Sequence, residues 1–318
     1  MKRKVAFVCN WGNTSEELLV YLARQTPGGQ GVWGTLHGVA SPGEADFLVV
    51  LEDLPASIRR QELDLQRTIF LPREPAAVRA RKRYEAFRAP LAFTHDDIHQ
   101  AAVWRVMRPF EELESAPYGG KSKALSTITS AVESTSGQRM RTQFLRDFAR
   151  EYPGTVDVFG YGWTDQLGAS YKGEIGDRFA SIRNFEGLCK LKGLRDYRYS
   201  LALENCRQRN YFSEKILDCW LAWAMPIYWG CPNLSDYFPE ASFHAIDPGR
   251  RDCPDQVREL IAQPIGERQI AAMREARRLV LHRYNIWPTV EEIIEGRRSA
   301  RSAPPALVRR LFAFLRDS

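Results

Sequence analysis

Short apolar runs alternate with stretches of helical period along most of the chain, the pattern of strands joined by crossover helices in a parallel sheet. Residues 5–9 read as a strand ending in the polar turn Asn10-Trp11-Gly12-Asn13, after which Thr14 or Ser15 can cap a helix over about 16–25. Glycines at 28–31 break the chain before a short segment at 32–38, and residues 45–51 have the character of a buried strand. Two further strand candidates, 68–71 and 91–94, flank a basic helix expected over 76–87. Residues 96–122 contain Pro109, Pro117, Gly119 and Gly120 and show no clear period, which predicts an interdomain connection.

A second run of the same kind follows. The pattern predicts a strand at 124–130, then an amphipathic helix over 138–152 marked by Met140, Phe144, Leu145, Phe148 and Tyr152. A strand at 156–160, a glycine-rich polar loop to about 180 and a strand at 197–203 come next, then a helix at 214–223 and a strand at 226–229. Helices over about 255–262 and 266–283 close the run. With 318 residues and 44% hydrophobic content the chain has material for two cores. The expected fold class is α/β with two parallel-sheet domains, 1–115 and 116–285, and a helical tail at 286–318.

Charge alters this picture only at the end of the chain. The net charge is +6, but residues 296–318 hold six arginines against one aspartate, so the rest is nearly neutral and offers no basic face for nucleic acid. The six cysteines are scattered with no C-x-x-C pair, which predicts reduced thiols in a cytoplasmic protein rather than disulfides or a zinc site. The N-terminus is basic, but its apolar run of about five residues is too short for a leader or a membrane span and is expected to be the first strand.

The most informative chemistry lies at one strand–helix junction. An apolar strand runs into Glu204-Asn205, a polar loop follows, and Tyr211-Phe212-Ser213-Glu214-Lys215 opens an apolar-periodic helix. Open α/β sheets bind ligands between strand ends and helix starts, where backbone N–H groups and the helix dipole favour phosphate. Glu214 and Lys215 would serve equally as ordinary first-turn charges, although a lysine there is electrostatically misplaced unless it faces an anion. Together, a lysine for phosphate, a carboxylate for sugar hydroxyls and a tyrosine suit a nucleotide-sugar.

These residues also carry a resemblance. Leu203-Glu204-Asn205, Tyr211-x-x-Glu214-Lys215 and Met225-Pro-Ile-Tyr-Trp-Gly230 resemble the donor-binding signature of the family 10 glycosyltransferases, the α-1,3/1,4-fucosyltransferases. Ser213 stands where that family usually has threonine and keeps the hydroxyl; Leu203 replaces phenylalanine and keeps the apolar character. The resemblance implies a GT-B architecture, two Rossmann-like domains facing across a cleft. It implies inverting transfer of L-fucose from GDP-β-L-fucose to an oligosaccharide acceptor, such as a lipopolysaccharide O-chain, with no metal cofactor. On this likeness Lys215 contacts the donor pyrophosphate, Glu214 takes ribose or sugar hydroxyls, and Asn205 and Tyr211 line the same pocket.

Two further residues take roles from the same likeness. Arg141 lies in Gly137-Gln-Arg139-Met-Arg141-Thr-Gln-Phe144, which with Val156-Asp-Val-Phe-Gly160 is similar to the family's R-x-x-[FY] and V-D-x-[FY]-G elements. The arginine there grips the diphosphate, and Phe144 three residues on favours Arg141 over Arg139. Glu74, in Pro72-Arg73-Glu74-Pro75, resembles the E-x-P element whose glutamate is the proposed general base, although here proline follows directly.

The remaining candidates are weaker. His95 and His99 have the i, i+4 spacing of metal ligands but lack a third ligand, and Glu52-Asp53 forms no D-x-D motif. Residues 304–316 place apolar residues opposite arginines and are expected to dock on the protein, remain disordered or lie on an anionic membrane surface. The alternatives to fucosyl transfer are use of another GDP-sugar, or a non-catalytic binding module with a basic tail.

Overall fold

The computed structural model describes residues 2–75, 89–99, 101–163, 166–175 and 189–298. The expected basic helix at 76–87 and the 304–316 segment lie outside them. Two five-stranded sheets organise the chain. The first contains β1 (Arg3–Cys9), β2 (Val32–Trp33), β3 (Leu36–Gly38), β4 (Phe47–Leu51) and β5 (Thr68–Leu71) in the order β2-β3-β1-β4-β5. All its neighbours are parallel except the β2–β3 hairpin. The second contains β6 (Lys123–Ile128), β7 (Asp157–Phe159), β8 (Tyr197–Leu203), β9 (Met225–Trp229) and β10 (His244–Ala245) in the order β10-β9-β8-β6-β7, entirely parallel. This is the α/β arrangement of two mostly parallel sheets that the alternating pattern of the chain predicts. The uninterrupted apolar strands follow from it, because crossover helices cover both faces of such sheets. No described helix is long and apolar enough to cross a membrane.

Helix starts obey local chemistry. Thr14 caps the helix Ser15–Ala23 in a reciprocal box with Glu17. Thr135 does the same with Gln138 for the helix Ser136–Glu151, which therefore begins two residues before the apolar period shows itself.

Three sequence expectations change. The strand foreseen at 91–94 is a single parallel bridge between Phe70 and Ala92 at the sheet edge. The connection expected at 96–122 is well packed on its way between the cores: Ile98, Ala101 and Val103 join the first, and Ala102, Trp104, Val106, Phe110 and Leu113 the second. That segment lacks a period because it is buried from several sides.

The tail drawn from residue 286 begins with a helix, Ile286–Ile294, that returns to the first domain. Ile286, Trp287, Val290 and Ile293 join Val5, Phe7 and Val49 in that core. The Trp287 indole packs 5.2 Å from the Phe7 ring and donates to the Leu22 carbonyl at 2.9 Å. Burying this stripe costs the chain a second crossing between domains, which a linear reading of domain boundaries does not anticipate.

Candidate active site

The second sheet reverses its winding beside β6. The chain passes from β6 to β7 in one direction and from β8 through β9 to β10 in the other, so β6 and β8 form a topological switch point. Right-handed crossovers then send the helices after β6 and β8 to opposite faces, and a crevice opens between their N-termini. Those two helices are Ser136–Glu151 and Glu214–Leu221. The loops meet closely: the Thr135 hydroxyl donates to the Asn205 carbonyl at 2.9 Å, and a Cβ at Gly137 would stand 2.4 Å from that oxygen. Only glycine lets the first helix approach the post-β8 loop this tightly.

Glu204, fully buried at the end of β8, anchors the second helix start. Its carboxylate accepts from the Ser213 amide at 2.7 Å, lies 2.7 and 2.9 Å from the Ser213 hydroxyl, and pairs with the Lys215 ammonium at 3.2 Å. Ser213 is the helix N-cap, so the hydroxyl retained from the family pattern ties cap, carboxylate and lysine together. Lys215 also lies 3.8 Å from Glu214, which in turn holds Lys190 at 3.1 Å. Burial pulls the Lys215 pKa down, but Glu204 and Glu214 outweigh it and the net shift is upward. Burial likewise disfavours charge on Glu214, yet Lys190, Lys215 and Arg105 hold it well below the usual carboxylate range.

Across the crevice, Arg141 is 2% exposed and donates through Nη1 to Asn205 Oδ1 at 2.7 Å. Its buried Nε has no hydrogen-bond partner among the described residues. Burial lowers its pKa against the opposing charge of Glu204, but a guanidinium remains protonated. Tyr211 is buried rather than open to the crevice, its ring 5.3 Å from that of His95. His99 is also buried, stacked 5.7 Å from Phe212, and burial holds its pKa well below the ordinary value.

The first domain contributes Glu74, just beyond β5. Burial raises its pKa first; Lys215 opposes this, while Glu52 and Glu214 add to it. The loops beyond β5 and β8 converge on this place and meet directly through His95 and Asn210. Asn210 secures that convergence: at φ 60° its side-chain amide donates to the His95 carbonyl at 2.6 Å, and its Oδ1 accepts from Tyr237 at 2.6 Å and Asn233 at 2.9 Å. Asparagine tolerates this left-handed conformation better than most residues.

Of the residues singled out from the sequence, the fold brings Glu74, Arg141, Asn205, Glu214 and Lys215 together and buries Tyr211 beside them. Sequence reasoning assigned no role to Glu204, Glu52, Lys190, Arg105, Asn210 or Asp218. Asp218 alone left a signal, a carboxylate inside the apolar stripe of Ile216, Leu217, Cys219 and Trp220. Burial pushes it up to about 7, and it accepts from the Arg105 amide at 2.7 Å.

Beside Gly230 lies a cavity of about 400 Å³ lined by residues including Arg207, Trp229, Glu240, Phe243 and His244. A Cβ on Gly230 would stand 2.4 Å from Glu204 Cγ and 2.6 Å from the Tyr228 hydroxyl. Gly230→Ala should therefore displace Glu204 and cost about 1–3 kcal/mol of stability through overpacking. The check is a thermal melt with GDP titration; wild-type stability and affinity together would show that the glycine is not needed there.

Residues 119–250 match the family model described as "Glycosyltransferase family 10 (fucosyltransferase) C-term". The alpha-(1,3)-fucosyltransferase FucT of Helicobacter pylori is 36% identical over 66 residues, a stretch covering 20% of this chain and 14% of that relative. Among solved structures, an alpha1,3-fucosyltransferase aligns with a TM-score of 0.47 at 17% identity, over 86% of this chain and 81% of the other. An alpha1,3-fucosyltransferase with GDP gives 0.46 at 17% identity over 89% and 82%. TarM of S. aureus gives 0.46 at 10% identity over 78% and 55%.

Proposed function

We propose that this chain, whose residues 119–250 match the glycosyltransferase family 10 model, moves L-fucose from GDP-β-L-fucose to a sugar hydroxyl, with inversion, making an α-1,3 or α-1,4 linkage. One observation carries the reading: Lys215 in the first turn of one helix and Arg141 in the second turn of another flank the crevice where the two helices meet at a switch point, with Glu74 of the other domain within electrostatic reach of Lys215. Such a crevice favours a diphosphate through helix N-terminal amides, the dipoles and two cations. The unmet N–H of Arg141 supplies a further donor for an anion, in keeping with the paired geometry by which guanidinium holds phosphate. The cavity beside Gly230 has the size of a nucleoside pocket.

In the reaction, Glu74 takes the proton of the acceptor hydroxyl as its oxygen bonds to the anomeric carbon. The bond to the β-phosphate oxygen breaks on the opposite face, and GDP leaves. The transition state has oxocarbenium character, and the charge gathering on the diphosphate is met by groups already in place. Lys215 and Arg141 give that charge two counterions, so turnover is expected to persist in EDTA. We propose a glycan acceptor such as a lipopolysaccharide O-chain and a cytoplasmic site of action.

Calorimetry with GDP, and a donor screen with GDP-fucose, GDP-mannose and UDP-sugars in the presence and absence of EDTA, test the reading together. The expected result is GDP binding with or without chelator and turnover of GDP-fucose. Absence of binding heat with folded protein would refute the site, and turnover of another donor alone would refute the sugar.

A further inference from the structure

We propose that Glu52, a residue outside the donor signature, is the positioning residue that holds Glu74 toward the acceptor. This rests on the reading of Glu74 as the base. In Pro72-Arg73-Glu74-Pro75 the two prolines have no N–H, so Arg73 and Glu74 supply the only backbone donors of the segment. Both donate to one oxygen of Glu52, at 2.8 and 2.9 Å. The Glu52 amide in turn donates to the Leu71 carbonyl at 3.0 Å, joining the residue that follows β4 to the end of β5. The Glu52 carboxylate thereby holds both backbone donors of the turn that presents Glu74, while the Arg73 side chain ties the same turn to the Ala101 carbonyl at 2.6 Å.

Backbone strain points the same way. Glu52 has φ 72°, in the left-handed region that favours glycine and penalises a side chain with a Cβ. A turn with no further task is served better by glycine. Glutamate at this position is explained by what its carboxylate does, and strained residues of this kind concentrate at functional sites.

The carboxylate also acts through charge. Among the described residues, Glu74 is faced by Glu52 beyond β4, by Arg73 beside it, by Glu214 and Lys215 at the helix start, and by Cys206 and Tyr211 of the post-β8 loop. Glu52 and Glu214 favour the protonated form of Glu74, while Lys215 and Arg73 favour the ionised form. Glu52 thus makes Glu74 a stronger base as well as a better placed one. A general base works best with its pKa nearer the operating pH than a free carboxylate provides.

Two substitutions separate placement from charge. Glu52→Gln keeps an oxygen to accept both amides but removes the charge. The Glu74 carboxyl should then titrate at lower pH than in the wild type. Carbon-13 NMR of glutamate-labelled protein, with Glu74→Gln assigning the resonance, reads this directly. The acid limb of turnover should move with it, to lower pH. Glu52→Gly suits the backbone at φ 72° and removes the acceptor. It should fold, bind GDP as the wild type does, and lose roughly a hundredfold in turnover through misplacement of the base.

An unmoved Glu74 titration in Glu52→Gln, or wild-type turnover in Glu52→Gly, would overturn the proposal. Failure of the underlying reading looks different: Glu74→Gln would itself retain turnover. The NMR titration reports on the coupling whether or not transfer is measured.

Discussion

Replacing Lys215 with alanine is expected to lower turnover of GDP-fucose roughly a thousandfold, the scale on which a pre-placed electrostatic group acts in a transition state. The ammonium is 3.2 Å from Glu204 and 3.1 Å from the Ser213 hydroxyl, so it is fixed before any diphosphate arrives. That fixation creates a second effect. Glu204 is wholly buried, and losing Lys215 leaves its charge with the Ser213 amide and hydroxyl and the more distant Arg141. Breaking a buried pair from one side costs about 3–5 kcal/mol, and the exposure of 15% of the lysine side chain places this case at the lower end.

Stability and catalysis can therefore be separated by a second substitution. Glu204→Gln combined with Lys215→Met should recover much of the lost stability, because no unpaired charge remains, while turnover stays low. Recovery of both in the double variant would show that Lys215 is a structural partner of Glu204 and nothing more. Single-variant turnover near wild type would remove Lys215 from the mechanism altogether.

Glu74→Gln is expected to abolish transfer, by about a hundred- to ten-thousandfold, while leaving GDP affinity close to wild type. The amide keeps the shape of the side chain and leaves the backbone contacts with Glu52 in place. The pH dependence has a definite sign. Burial first, then Glu52 and Glu214, raise the Glu74 pKa, so turnover should fall with acid at a higher pH than a solvent-exposed glutamate would give. A bound diphosphate offsets the Lys215 charge that opposes this rise, so the limb for kcat should lie at higher pH than the limb for kcat/KM. Equal losses of turnover and GDP affinity in Glu74→Gln would instead assign the residue to donor binding or to structure.

The signature residues were readable because their chemistry is local. Ser213, Glu214 and Lys215 occupy consecutive positions at a helix start, and capping and dipole rules act within one turn. Arg141 was readable from a glycine-containing turn entering an amphipathic helix. Lys190, Arg105 and Glu52 were not, since each lies in a segment without period and acquires meaning only from a partner far along the chain. The Lys190–Glu214 pair spans 24 residues, the Arg105–Asp218 contact 113, and the Glu74–Glu52 contact 22. Tyr211 was expected to line the donor pocket, but the first domain supplies His95 to pack against it. No reading of the 205–215 loop alone contains that neighbour.

The amino-acid sequence by itself determined most strands, most helix positions, the α/β class and the strand–helix junction at 203–215 where the charged residues gather. These follow from apolar period, cap residues and turn chemistry, all expressed over a few residues. Tertiary structure decided which carboxylates and cations share one site. It also decided that the residues after 286 return to the first sheet, that the 96–122 segment is core, and that Glu52 meets the loop of Glu74. Those outcomes depend on burial and on contacts across the switch point and between domains. The energy of a buried charge is set by the groups that surround it in space, and only the folded chain specifies them.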